Sequence, residues 1–189
     1  SGGGSFRRVT TTDASRPPRA GSSTGPPFFA DDNREPSISD NGNLVAFIST
    51  GGASNTDRNP ELAFCDVSGT TFTPVNATNT QDAVPGIGLI FQSNPNLSSD
   101  GSVVSFVSSA NLASPQQNAD GNAEIYHATV SGGALSDIRQ VTRTQNGTFN
   151  AVVFNPGRRM SRNGGLIAFE SRATDPKANT AVSNQFLGM

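Results

Sequence analysis

Two stretches of the chain carry oxygen-bearing side chains at every second residue. One is Asn118, Asp120, Asn122 and Glu124, and the other is Asn55, Asp57, Asn59 and Glu61. Calcium takes about six to eight oxygen ligands, and amides alternating with carboxylates along a tight loop supply several of them. The same residue types also knit turns without an ion, because Asn and Asp side chains bond to nearby backbone. Asn118, Asp120, Asn122 and Glu124 are therefore a candidate calcium set, with an Asx-knitted turn entering a strand at the Glu as the competing reading. Pro60 counts against an ion in the first copy.

Other chemistry is sparse. His127 is the single histidine, in the run Ile125-Tyr126-His127-Ala128, where a packed strand residue is the expectation rather than a base. There is no Gly-x-Ser-x-Gly elbow, zinc-ligand spacing or phosphate-binding loop. Asp66 and Asp137 fall at strand ends with no carboxylate partner in view. These residues predict no enzyme and no cofactor, calcium apart. Arg158, Arg159 and Arg162 form a basic cluster that suits a carboxylate-rich partner or anionic headgroups, or is a solvated turn. Two apolar insertions, Val84 to Phe91 and Phe149 to Phe154, have the makings of a docking patch. Ile87, Leu89, Ile90, Phe91, Phe149 and Phe154 are its candidate partner-binding residues, with burial in an inner strand as the alternative.

Composition narrows the field further. The 189 residues carry 13 Lys+Arg against 15 Asp+Glu, a net charge of −2, with no basic and aromatic cluster. That balance excludes a phosphate-tracking nucleic-acid binder. Hydrophobic residues make up 33% of the chain, recurring in short runs, as in a protein of many strands and turns. Cys65 is alone, so no intrachain disulfide forms. No run reaches the roughly 18 apolar residues of a membrane helix. Ser1-Gly2-Gly3-Gly4-Ser5 reads as a flexible tether, of the kind that follows a lipid anchor, or as an expression linker.

The elements that hold these residues come from a repeat. Ser39-Asp40-Asn41-Gly42-Asn43-Leu44-Val45-Ala46-Phe47 is echoed from Ser98 to Phe106 and again from Ser161 to Phe169. Its glycines, Gly42, Gly101 and Gly164, lie 59 and 63 residues apart. Each copy reads as strand, two-residue Asx-Gly hairpin turn, and a second strand apolar on both faces. The Asx–Glu stretches then lead into a third strand. Phe72 to Val75 and Ile138 to Thr142 alternate apolar and polar residues, as a half-exposed fourth strand does.

Pro36-Ser37-Ile38-Ser39-Asp40-Asn41-Gly42 and Pro95-Asn96-Leu97-Ser98-Ser99-Asp100-Gly101 resemble the WD-like repeats of TolB-type β-propellers. The resemblance spans residues 34 to about 186 and is looser in the third copy. It implies an all-β fold of four-stranded antiparallel propeller blades: blade one over 34–78, blade two over 79–144, and an incomplete blade three over 145–189. Residues 1–5 would be the tether and 13–33 a linker. Residues 6–12 resemble a fourth strand and would complete blade three, within one longer ring or across two chains. Three blades do not close a ring, since propellers have about four to eight. The arc is thus part of a larger ring, or two copies form a homodimer with six blades. By analogy the function is a non-enzymatic scaffold for protein partners. It would be an accessory subunit of a membrane-associated complex, periplasmic or extracellular and lipid-anchored if the tether is native. The alternatives are the propeller of a hydrolase or peptidase whose catalytic domain lies elsewhere, and a carbohydrate-binding propeller.

Overall fold

A computed structural model describes residues 6–11, 32–81, 90–115, 118–144, 160–169, 173 and 175–177. Eight strands are present among them, in two sheets. β1 (Asn33–Ile38), β2 (Leu44–Ser49), β3 (Glu61–Asp66) and β4 (Val75–Asn76) make the first, each strand antiparallel to the one before it. β5 (Gln92–Leu97), β6 (Val103–Ser108), β7 (Glu124–Ser131) and β8 (Ala134–Gln140) make the second in the same way. These are two propeller blades. The described part of the third repeat holds one antiparallel bridge, Met160 to Ile167, where the other blades pair their first two strands. The fold is all-β, an open arc of four-stranded antiparallel blades.

The repeated hairpin is a four-residue loop, not the two-residue turn its Asx-Gly pair suggests. Ser39 N donates to Leu44 O at 3.0 Å, and Gly42 N donates to Ser39 O at 2.9 Å, closing a β-turn over Ser39–Gly42. Only the glycine takes positive φ, +74°, +77° and +74° at Gly42, Gly101 and Gly164. The serine and the Asx side chain set the geometry. Ser39 Oγ donates to Asn41 Oδ1 and accepts from Leu44 N, and Ser98–Asp100–Val103 and Ser161–Asn163–Leu166 repeat both bonds.

The blades stack face to face. Ala46, Ile48, Leu62 and Phe64 of blade one meet Val104, Phe106, Tyr126, Ala128 and Val130 of blade two. Phe106 and Tyr126 stack with ring centroids 5.8 Å apart, and the buried Tyr126 hydroxyl donates to Ala110 O at 2.7 Å. Burial pushes that phenol up to about 12. Blade two turns its other face, with Val107 and Ile125, toward Phe169 of the third repeat.

Residues 6–11 take no strand conformation in the single chain, and the closing pairing expected of 6–12 concerns a longer ring or a second chain. Val9 packs beside Phe47, Ala63 and Cys65 on the outer face of blade one, with Phe72 next to it. Arg7 lies over the Phe72 ring at 4.1 Å and donates to Gly69 O at 2.5 Å. Among the described residues no blade lies against that face, and apolar burial holds the segment there. The same pull takes Phe72 out of the expected fourth strand, leaving β4 two residues long. Residues 1–5 and 12–31, read as tether and linker, lie outside the described residues.

Candidate functional site

The two Asx–Glu stretches build matching clasps. Glu124 Oε1 accepts from Thr144 N at 2.5 Å, Thr144 Oγ1 at 2.8 Å and Asn122 Nδ2 at 2.9 Å, while Oε2 accepts from Thr142 Oγ1 at 2.5 Å. Glu61 repeats this with Thr80 N at 2.6 Å, Thr80 Oγ1 at 2.7 Å and Thr78 Oγ1 at 2.5 Å. Asn118 Nδ2 and Asn55 Nδ2 each donate at 2.8 Å to the backbone carbonyls of Asn122 and Asn59, which shapes the loop before the Glu. Positive φ at Arg58 (57°) and Gly121 (69°) marks the same bend in both. Each clasp fastens the start of the third strand to the chain leaving the fourth.

Blade one adds a bond that blade two does not match among the described residues. Gln92, at the head of β5, donates to Glu61 Oε2 at 2.9 Å and so ties the clasp to the next blade. Burial pushes the Glu61 carboxyl above the usual range, against the pull of Thr78, Thr80 and Gln92. Of the proposed calcium set, Glu124 and Asn122 are engaged in the clasp and Asp120 is exposed at the loop tip. The buried Oδ1 atoms of Asn118 and Asn122 accept no hydrogen bond, and neither do those of Asn55 and Asn59 in the first clasp. Among the described residues no three Asp, Glu, His or Cys side chains converge as metal ligands.

The first-hairpin turns of all three repeats converge. Asn41 N donates to Ser99 O at 3.3 Å, and Ser99 N donates to Arg162 O at 2.7 Å. Ser99 Oγ donates to Asp40 Oδ2 at 3.0 Å, and Arg162 Nε sits 3.6 Å from that same oxygen. Asp40, Ser99 and Arg162 occupy one repeat position, so the hub is a row of equivalent residues with a polar link from blade one to blade three. The Arg162 side chain remains 81% exposed. Asp100 is held ionised at about 2 by Ser102 N and the hydroxyls of Ser98 and Ser102.

Beside these turns the blades interlock, and the two ends of the arc show what interlocking requires. A Cβ on Gly101 would lie 3.3 Å from Leu44, and one on Gly164 would lie 2.9 Å from Val103. Each turn thus seats on the first residue of the preceding blade's second strand. The next residue in that series, Leu166, is 75% exposed. At the opposite end, a Cβ on Gly42 would meet nothing within 4 Å. Ile38 is 57% exposed, although its equivalents Leu97 and Met160 are 1% and 2% exposed.

Of the suggested docking residues, Phe91 is exposed and bonds to Ser109 through both backbone groups as it enters β5, and Ile90 is half-buried. Ile87, Leu89, Phe149 and Phe154 lie outside the described residues, as do Arg158 and Arg159. The hub partners of Arg162 and the exposed pair Ile38 and Leu166 were not picked out from sequence. Alignment of the repeats holds the signal, since it puts 40, 99 and 162 at one position and 38, 97 and 160 at another.

No family model matches the chain, and no curated protein matches it. Among solved structures it is similar to TolB from Acinetobacter baumannii, at 23% identity over 69% of this chain, with a TM-score of 0.39. The chain spans 24% of the length of that protein.

Proposed function

We propose that this chain is a propeller scaffold that holds protein partners and performs no chemistry of its own, and that the partner at its ends is another blade. The observation that carries this is the mismatch at the ends. Leu166 stands where Leu44 and Val103 each receive a glycine turn, and Ile38 stands where Leu97 and Met160 are covered. Both ends therefore have the chemistry of a blade-on-blade contact already made twice within the chain. A second copy satisfies both at once, because Leu166 of one arc meets Gly42 of the other across a two-fold axis. The closed form has six blades. Periplasmic or extracellular placement, and a role on a larger membrane-associated complex, rest on the resemblance of the repeats alone.

Sedimentation tests the reading. The wild-type chain is expected as two copies and Leu166→Asp as one, with unchanged thermal stability of the single chain, since Leu166 is exposed. A wild type that sediments as one chain at every concentration rules out closure by a second copy.

A further inference from the structure

The junctions between blades are not chemically equal. At the junction of blades one and two, the cleft is lined by Phe64, Val75, Asp66 and Asp100, with the Gly132-Gly133 turn of blade two alongside. The cleft at the junction of blade two with the third repeat has a volume of about 600 Å³. His127 stands there in place of Phe64, and Arg139 in place of Val75. Arg139 pairs in register with His127, and Val141 and Arg143, in the chain leaving β8, line the cleft with it. Lys177 comes in from the later part of the third repeat, held by Arg143 N donating to Pro176 O at 2.5 Å. No carboxylate lines this cleft among the described residues. Asp175, the nearest acid in sequence to Lys177, accepts from the Lys177 backbone N at 2.9 Å. Ile167 and Phe169 add an apolar wall.

We infer that this cleft binds an organic anion, its phosphate or carboxylate head held by Arg139, Arg143 and Lys177 and its apolar part resting on Val141, Ile167 and Phe169. Among the described residues the cleft gathers these three cations and no acid, and an anion takes the planar, forked bonds that guanidinium offers. His127 Nε2 lies 3.0 Å from Gly164 O, which fixes its ring at the inner wall of the cleft. The replacement of the apolar Val75 by Arg139, with a second arginine at Arg143, is what packing alone does not require.

Phenyl phosphate, benzoate and phenol are suitable probes, titrated into the full chain and followed by calorimetry. One or both anions should bind saturably, and phenol about tenfold or more weakly, because it lacks the charge-assisted bonds. The stronger of the two anions identifies the head group. Replacing Arg139→Val and Arg143→Asn together restores the blade-one residues and should weaken anion binding about tenfold or more. Both side chains are exposed, so the melting temperature serves as the control for folding. Absence of saturable binding, equal affinity for phenol, or binding that the double variant leaves intact would each overturn the assignment.

Discussion

Glu61 is the residue at which burial and hydrogen bonding oppose each other most directly. Its carboxyl is raised by desolvation, so between the unfolded and folded pKa values the folded chain holds more protons than the unfolded one. Stability from this group is fully present below the unfolded value near 4.5 and is lost as pH rises through the folded value. Chemical denaturation across pH should therefore show a contribution that falls above about 4.5, and Glu61→Gln should flatten it. A Glu61→Gln variant with the same slope as wild type would put the effect elsewhere. The second clasp bears on calcium. Asn122 and Glu124 bond to Thr142 and Thr144 with no ion needed, so chelator is expected to leave the melting temperature unchanged. If chelator lowers it and Asp120→Ala abolishes that response, the unbonded oxygens of Asn118 and Asn122 are holding calcium.

The hairpins show what one element does in three surroundings. All three glycines have φ near +75°, so alanine strains each of them by about 1–2 kcal/mol. At Gly42 that is the whole cost, because a Cβ there meets nothing. At Gly164 the methyl lies 2.9 Å from Val103, and overpacking adds about 1–3 kcal/mol. Denaturant titration of Gly42→Ala and Gly164→Ala should separate the two terms, and equal losses would mean that the turn does not seat on Val103. The strands and their order were legible in sequence, since β-branched runs between Ser-Asx-Gly turns repeat with a constant pattern. The turn length was not: Asn41 and Asp100 accept bonds within the loop, and Asx-Gly alone does not reveal the serine that shares them. The Asx–Glu stretches were legible as a unit with two readings, but Thr78, Thr80, Thr142 and Thr144 complete the clasps from about 20 residues away, beyond local pattern. The contact of Val9 with Phe47, Ala63 and Cys65 was not legible, because nothing in the local pattern of residues 6–11 points to the face of blade one.

At the scale of the molecule, Leu166 and Ile38 stand exposed at repeat positions that are covered where one blade meets the next. If a second copy fills both ends, association and stability are linked, because the partner binds the folded chain and not the unfolded one. Each tenfold rise in concentration then stabilises the dimer by about 1.4 kcal/mol, half of that per chain. For a chain of 189 residues this moves the melting temperature upward by about 2 °C per decade. Leu166→Asp should remove the dependence without lowering the plateau reached at high dilution, since the carboxylate would be buried only in the assembled ring. Two results are informative against the reading. A melting temperature that is flat with concentration in the wild type excludes a second copy as the occupant of the ends. A dependence that survives Leu166→Asp means that the copies meet through another surface, and the interlocking of Leu166 with Gly42 is then not the contact that joins them.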